Sequence, residues 1–401
     1  MDANKAVETQ EPSKLWNTNF IILLGINVLS SMAFNLVTPL LSKYAINLGA
    51  SVSVAGVIVG LFAITALFIG PFSGILTDRT NKKYLMIIAA FMNGIATLGY
   101  SLAPNIGVMI LFRILHGVSF SITITSNLVW ISDFIPIKKM GEGIGYFGIA
   151  QIIATAFGPQ LGIIASNQFG ISKTFMFAAI LQIIASICMN FVSNKNQNSK
   201  ENTSVKKNKI RLKDIIAFEI LPLSLIGGLF SMGNGLVSSF LVLLGEQRQI
   251  SGVGIYFTVN ALFLLFTRPL SGKLYDKKGL TIILYPALLF SCLESLLLGH
   301  ANALWMIILA AVVKAFGQGT AQPALQAESL RKLGSQRKGV ASSTFYIGAS
   351  IGQGFGPLLG GVIASTYGYS GMFNFSALLM LCGILAYAIY NKRIDKSDMQ
   401  F

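Results

Sequence analysis

The sequence predicts an all-α membrane protein whose twelve transmembrane helices form two pseudo-symmetric six-helix bundles. Three observations predict this fold: long apolar runs, a duplicated half, and basic residues that gather on one side. Of the 401 residues, 53% are hydrophobic and 11% are charged, whereas a soluble domain has about 25% charged residues. The apolar runs approach the roughly 20 residues that a helix needs to cross a bilayer, and they lack the period-two alternation of a membrane barrel.

The duplication is clearest in two short stretches whose matching residues lie 198 positions apart. GPFSGILTDRTNKK occupies 70–83, and RPLSGKLYDKKG occupies 268–279. The same offset aligns further pairs, namely Gly158 with Gly356, Pro159 with Pro357, Gly162 with Gly360 and Gly170 with Gly368. Because the two stretches fall on the same side of the predicted membrane, the halves are expected to be parallel repeats with a site between them.

The apolar runs divide into two sets of six. The predicted spans, in chain order, are 18–44, 54–77, 84–103, 106–131, 142–165, 171–193, 219–244, 253–275, 280–299, 304–327, 338–364 and 371–391. Residues 1–193 are therefore expected to form the N-terminal bundle and residues 219–401 the C-terminal bundle. Between them, 194–218 is rich in Asn, Lys and Ser, a composition that cannot bury a core, and it is interpreted as a cytoplasmic linker.

Basic residues mark one side of the predicted membrane protein. The termini and the loops on that side hold 24 of the 30 Lys and Arg residues, whereas the other side has only Lys43, Lys173 and Arg248. Cytoplasmic loops carry such an excess, so both termini are predicted to be cytoplasmic in a multi-pass protein of the cell membrane. The net charge of +15 thus reflects topology, and the lipid bilayer rather than nucleic acid is the expected partner.

Three motifs resemble those of the major facilitator superfamily, and the resemblance covers essentially the whole chain. They are GPFSGILTDRTNKK after the second span, RILHG in the fourth and FGPQLG closing the fifth. Within the superfamily the chain resembles the twelve-helix drug:proton antiporter branch, because a Gly-Pro element in the fifth helix is associated with exporters. The resemblance implies secondary active transport by alternating access, with proton-coupled efflux of small molecules or drugs as the leading expectation.

Two other functions are alternatives to efflux. Transport of a small anionic or zwitterionic metabolite is the alternative, and a non-transporting membrane sensor is the least favoured, because such a protein is expected to carry a signalling domain. The sequence shows two histidines, no nucleophile elbow and no phosphate-binding glycine loop. The three cysteines lie inside apolar spans without metal-binding spacing. Neither enzymatic activity, a cofactor nor a metal site is expected, and the protein is predicted to be a monomer.

The first motif implies a conformational latch at the end of the second helix. By the resemblance, Asp78 lies against the cytoplasmic end of another helix in one closed state, and a helix N-terminus favours such a carboxylate. Asp276 repeats it in the second half as the weaker copy. Asn81 stands where the family usually has Gly, and Asn tolerates a left-handed turn. The latch residues are therefore predicted to be Gly74, Asp78, Arg79, Gly272 and Asp276.

Charged and titratable residues inside the spans predict the coupling machinery. A charge at the depth of Arg113 is costly and indicates function; the family has an Arg here, which is thought to link proton movement to the conformational cycle. A bond from Arg113 to a buried carbonyl is the alternative. His116 can titrate near neutral pH or be a satisfied core histidine. Glu294, inside the ninth span, either pairs with a cation or takes up a proton. Many multidrug antiporters have a carboxylate inside the N-terminal half, and this chain has none there away from the membrane edge.

Polar residues of the inner helices are expected to line a central cavity that opens between the halves. Each of them alone is equally consistent with a hydrogen bond between helices. If Arg113 and Lys314 both face the cavity, they favour an anionic or zwitterionic substrate over a lipophilic cation. The predicted substrate-binding residues are Asn27, Asn35, Asn127, Gln151, Asn234, Tyr256, Asn260, Lys314, Gln318, Gln322 and Tyr346.

Glycine and proline residues of the fifth and eleventh spans predict bending and close helix contact. In the exporters that the chain resembles, the fifth-helix copy shapes the interface between the halves; generic helix packing is the alternative. These predicted interface residues are Gly158, Pro159, Gly162, Gly356, Pro357 and Gly360.

Overall fold

A computed structural model describes residues 14–136, 139–193, 217–334 and 337–398 of the chain. Within these ranges the long elements are helices and there is no β-strand. The helices are α1 Thr18–Asn47, α2 Val52–Arg79, α3 Lys82–Leu102, α4 Ile106–Ser132, α5 Met140–Phe169, α6 Ile171–Cys188, α7 Leu221–Gln247, α8 Ile255–Lys278, α9 Thr281–Gly299, α10 Leu304–Leu333, α11 338–367 and α12 369–398. Their boundaries agree with the predicted spans to within a few residues, while most of the predicted linker lies outside the described residues.

The predicted all-α membrane fold with twelve helices is confirmed. By length and apolar composition alone, ten candidate membrane spans are recognised in the described part of the chain. One of them, Val340–Lys392, contains both α11 and α12, which meet at Gly368. The remaining helix is α8, whose apolar character is diluted by Arg268, Lys277 and Lys278.

Polar side chains in the loops of the N-terminal half start several helices. Asn17, Ser51 and Asn105 each accept a hydrogen bond from a backbone N–H in the first turn of the following helix. Asn81 does the same for α3, accepting from the N–H of Lys83 at 3.0 Å. Its φ of −69° is not left-handed. The left-handed turn that Asn tolerates is therefore not used here, because α3 begins at the next residue and Asn81 serves as its cap.

The two halves repeat the same helix packing. In the first half α1 packs on α5, α2 on α4 and α3 on α6, and in the second α7 packs on α11, α8 on α10 and α9 on α12. The aligned residues Gly170 and Gly368 have φ of 88° and 70° and occupy the corner between the last two helices of each half. Glycine adopts this left-handed backbone without a steric penalty. The duplication thus preserves both the packing and the backbone of this corner.

The halves meet where α2 crosses α11 and where α5 crosses α8. In the first crossing, Gly56 lies against the carbonyl of Pro357, and Gly60 lies against the carbonyl of Gly354. A Cβ at either α2 glycine would collide with that backbone. The absence of side chains therefore lets two membrane helices from different halves approach to backbone contact.

Four of the predicted interface residues lie elsewhere. Each packs against the first helix of its own half, which is α1 or α7. The pairs are Gly158 on Asn35, Gly162 on Leu36, Gly356 on Met232 and Gly360 on Leu236. Other residues of α5 contact α8. The carbonyl of Ala156, for example, accepts a hydrogen bond from Thr258 at 2.7 Å. Pro159 is buried within α5. Of the predicted set, Pro357 does contact the other half, through Gly56. Sequence analysis missed Gly56 and Gly60.

The contacts between the halves concentrate at one end of the molecule. We call the helix ends next to loops 80–81 and 279–280 the basic face, and the other ends the opposite face. At the opposite face, Lys43 and Glu246 form an ion pair between α1 and α7, and Ser53 bonds Ser365 at 2.9 Å. Toward the basic face, Phe68 of α2 is 69% exposed. The halves are therefore closed together at the opposite face.

We expect Gly60→Leu to weaken this closure, because overpacking a tight contact costs about 1–3 kcal/mol. The measurement is oxidative cross-linking of Ser53→Cys with Ser365→Cys in a background without native cysteines, where we expect about a fivefold or larger loss of yield. Gly25→Leu is the control, since a Cβ there meets nothing within 4 Å. Equal yields in the two variants would contradict the role assigned to the α2–α11 crossing.

Candidate functional site

A cavity of about 280 Å³ lies between the helices of the N-terminal half and α7. Amides, hydroxyls and phenylalanine rings make up most of its wall, and Asn234 represents the C-terminal half among the described lining residues. Five of the predicted substrate-binding residues line it, namely Asn27, Asn35, Asn127, Gln151 and Asn234. No Asp, Glu, Lys or Arg stands among the described lining residues. The cavity wall is therefore polar but uncharged apart from any charge on His116.

The polar part of the wall is built around Asn27 of α1. Its Oδ1 accepts hydrogen bonds from Asn127 of α4 at 3.2 Å and from Gln151 of α5 at 3.4 Å. Asn27 Nδ2 and Ser30 Oγ are buried and have no hydrogen-bond partner among the described residues. Buried polar atoms are normally paired. These two atoms therefore offer a donor and a hydroxyl to a molecule inside the cavity.

The apolar part of the wall is aromatic. Phe34 and Phe120 are stacked with centroids 4.9 Å apart, and both line the cavity. His116 contacts the Phe34 ring edge-on and its Nδ1 lies 3.0 Å from the Tyr100 hydroxyl. Flat aromatic surfaces bind other flat apolar groups through large contact area. The cavity thus combines a stacking wall with an amide cluster.

Arg113 is held by α2 rather than facing the cavity. It is 2% exposed, and its Nε and Nη2 donate to the carbonyl oxygens of Ile58 and Val59 at 3.1 and 3.0 Å. The guanidinium also lies 4.5 Å from the centroid of the Phe62 ring. Among the described residues Arg113 has no ion pair. These bonds match the alternative of a buried carbonyl partner, and its coupling role stays a prediction.

The C-terminal half contains a buried charge cluster. Glu294 and Lys314 are each 6% exposed, with Lys314 Nζ 4.0 Å from Glu294 Oε1. The Tyr256 hydroxyl donates to Glu294 Oε1 at 2.5 Å, and Lys314 Nζ donates to Asn234 Oδ1 at 2.9 Å. Asn234 Nδ2 in turn donates to Gln353 Oε1 at 3.3 Å. Three hydrogen bonds and this ion pair thus link α8, α9, α10, α7 and α11.

The remaining predicted substrate-binding residues do not line the cavity. Most of them form hydrogen bonds with other helices: Asn260 donates to the Ala311 carbonyl, Gln322 to Ser231 and Gln326 to Tyr346. Gln318 is half-buried beside Gly317, where α10 is interrupted. Neither Arg113 nor Lys314 lines the cavity. The condition under which they would favour an anionic substrate is therefore not met in this conformation.

Several other residues that line the cavity were not among the predicted ones. Asn93 and Thr97 of α3 and Gln182 of α6 reach the cavity. Asn93 bonds Thr123 and Ser119 of α4 at 3.0 and 2.6 Å. Their signal in the sequence was the spacing of Asn93 and Thr97, which places two polar side chains on one face of an apolar helix.

The two copies of the predicted latch lie near the ends of α2 and α8. Gly74, Asp78 and Arg79 lie in α2, and their side chains are outside the described residues. Asp276 is exposed near the end of α8, and in the described part of the chain it has no hydrogen bond or ion pair; Gly272 has open space around it. The latch role of both copies stays a prediction.

Comparisons with known proteins agree with this architecture. The profile of the Major Facilitator Superfamily matches residues 23–327 and 223–398. An uncharacterised MFS-type transporter of Methanocaldococcus jannaschii is 26% identical, covering 93% of this chain and 96% of its own. The multidrug resistance protein MdtG of Escherichia fergusonii is 26% identical over 92% and 93% of the two chains. The multi-drug resistance efflux pump PmrA of Streptococcus pneumoniae is 25% identical, covering 90% of this chain and 93% of its own.

Solved structures share the fold at low sequence identity. A POT family transporter in complex with 5-aminolevulinic acid superposes with a TM-score of 0.80 and 14% identity, covering 96% of this chain and 98% of the other. A bacterial homologue of the human lysosomal transporter Spinster, in an inward-facing and occupied conformation, superposes with a TM-score of 0.76 and 15% sequence identity. The match covers 93% of this chain and 96% of the other.

Arg113→Ala should lower thermal stability, because hydrogen bonds from a charged group contribute about 1.5–3 kcal/mol each. Arg113→Lys should fall between this variant and the unmodified protein, since a point charge cannot reproduce the fork of a guanidinium. The measurement is the unfolding midpoint in detergent, with the exposed Lys173→Ala as the control. An unchanged midpoint in Arg113→Ala would exclude a bracing role for the bonds to α2.

Proposed function

This chain belongs to the Major Facilitator Superfamily, and on that premise we propose that it exports small molecules or drugs by alternating access, driven by protons. The observation that carries the proposal is the uncharged cavity beside α7, with the two halves closed together at the opposite face. Relatives over nine tenths of the chain are named multidrug resistance proteins and efflux pumps. A binding site that can be closed on one side and open on the other is the requirement for alternating access.

The placement of the basic loops supports the side from which substrate enters this conformation. With the basic face in the cytoplasm, as the positive-inside pattern favours, the conformation described here is closed toward the outside and accepts substrate from the cytoplasm. The exposed Asp276 belongs to this state, because a latch at the cytoplasmic side engages when that side is closed. Both termini are then cytoplasmic and the protein resides in the cell membrane. One chain supplies both halves around the cavity, so a monomer suffices for transport.

The substrates are flat, uncharged aromatic molecules that carry a hydrogen-bond acceptor. Phe34 and Phe120 supply the stacking surface, and Asn27 and Ser30 supply unpaired polar atoms beside it. A permanent cation would find no carboxylate among the described lining residues. An anion would find no basic side chain there apart from His116. The wall therefore favours neutral drugs over the anionic metabolites of the alternative function.

We expect everted membrane vesicles to accumulate radiolabelled chloramphenicol, a neutral aromatic amide, when their interior is made acidic. The permanent cation ethidium and the anion 2-naphthalenesulfonate should compete poorly for the same uptake, because neither finds a counter-charge in the wall. Asn27→Leu should reduce uptake by about tenfold, the loss expected for an unpaired buried polar contact. Uptake that ignores imposed pH and sodium gradients alike would rule out coupled export.

The ion pair between Lys43 and Glu246 should help hold the opposite face closed. Exposed pairs contribute about 0.2–1 kcal/mol, so Lys43→Glu or Glu246→Lys alone should shift the open fraction by up to about fivefold. The measurement is labelling of Ser30→Cys in the cavity by an impermeant maleimide added at the opposite face. The double exchange Lys43→Glu with Glu246→Lys restores the pair and should restore slow labelling. Fast labelling of the double variant would show that the pair is not part of the closure.

A further inference from the structure

The cluster around Glu294 places an acid and a base together inside a membrane bundle. A buried ion pair costs desolvation energy, and hydrophobic residues of similar volume often stabilise a protein as well or better. Its retention here therefore calls for a reason other than stability. Glu294 is the acid of this pair, and it contacts Lys314 and the Tyr256 hydroxyl within 4.0 Å.

The cluster is connected to the cavity and to the interface between the halves. Lys314 bonds Asn234, which lines the cavity. Asn234 bonds Gln353 of α11, and the next residue, Gly354, lies against Gly60 of α2 at the crossing that joins the halves. A change in the charge of the pair can therefore reach both the substrate and the contact that must separate when the opposite face opens.

We propose that Glu294 is the proton-binding residue of this transporter and that Lys314 is its counter-charge. This inference rests on the proposed proton-driven export. In the conformation described here Glu294 is buried beside Lys314, whose ammonium supplies the counter-charge of its carboxylate. When the opposite face opens, a proton from water binds a carboxylate oxygen of Glu294, and the net charge of the pair changes from zero to +1. A net charge is costly in a dry site, so protonation favours the state in which water reaches Lys314.

The surroundings of Glu294 support this assignment over the other predicted coupling residues. The titratable groups that face Glu294 are Tyr256 on α8 and Lys314 on α10; α12 contributes Ser376 beside Ser295, and neither serine titrates at neutral pH. Arg113 donates to backbone carbonyls of α2 and has no ion pair among the described residues. His116 sits among phenylalanine rings and bonds Tyr100. Among the described residues His116 has no ion pair, so a proton bound there would not break one.

The chain contains a matched control for Glu294. Glu328 is also a buried acid that accepts a tyrosine hydrogen bond, from Tyr275 at 2.7 Å, and pairs with a cation, Arg331 at 2.9 Å. It lies near the end of α10 at the basic face, and neither Glu328 nor its two partners line the cavity. A general effect of removing a buried carboxylate would appear in Glu328→Gln as well as in Glu294→Gln.

The test measures labelling of Ser30→Cys from the opposite face, in right-side-out vesicles, at about pH 5 and about pH 8. Because maleimide reacts with the thiolate, whose fraction itself changes with pH, each rate is divided by the rate of the exposed Lys173→Cys at the same pH. We expect this ratio to change in the parent protein by at least about fivefold, the lower end of allosteric coupling. Glu294→Gln should lose this response, and Glu328→Gln and His116→Gln should keep it. If Glu294→Gln misfolds because Lys314 is left uncompensated, Glu294→Gln with Lys314→Met removes both charges and should fold without the response.

A response that persists in Glu294→Gln or in the double variant, that disappears in His116→Gln, or that is absent from the parent protein would overturn the inference. Failure of the proposed function gives a different result. In that case chloramphenicol uptake by the parent protein ignores the pH gradient, whatever the labelling shows. Uptake by Glu294→Gln that still follows the pH gradient would leave proton-driven export standing and place the proton elsewhere.

Discussion

The close approach of α2 and α11 sets the geometry on which the rest of the molecule depends. Gly56 and Gly60 let the α2 backbone meet the carbonyls of Pro357 and Gly354, so the two helices reach backbone contact at this crossing. Closure at that end leaves the cavity beside α7. Because helix contacts in lipid rely on packing rather than on the hydrophobic effect, the small residues at this crossing decide how the halves fit together.

The duplicated scaffold carries different chemistry in its two halves. The N-terminal half supplies a neutral wall of amides and phenylalanine rings, and its buried Arg113 is held by backbone carbonyls of α2. The C-terminal half supplies the ion pair of Glu294 with Lys314 and touches the cavity through Asn234. The cavity wall and the buried ion pair thus lie mainly in different bundles and are linked through Asn234. Such a division allows a proton and a neutral substrate to act on the same equilibrium from different places.

Helix number, helix boundaries and the parallel repeat could be predicted because they depend on local properties. Apolar length, polar loops and the recurrence of Gly170 as Gly368 are visible in the chain itself. The site was predicted in part. Asn27, Asn127 and Gln151 were expected to line a cavity and do so, whereas Asn260 bonds the Ala311 carbonyl of a neighbouring helix. A polar residue inside an apolar helix looks the same in either role, since only its rotation toward a neighbour distinguishes them.

Span length and hydropathy are properties of contiguous residues, so the amino-acid sequence alone identifies a twelve-helix membrane protein of two related halves. Which polar groups meet depends on the folded bundles. Glu294 and Lys314 lie on consecutive helices, and their pairing depends on the rotation of α9 and α10 about their axes. The same holds for the glycines: Gly158 and Gly60 are both compatible with close packing, but only Gly60 faces the other half. Which face of a helix meets which partner is a property of the assembled bundles.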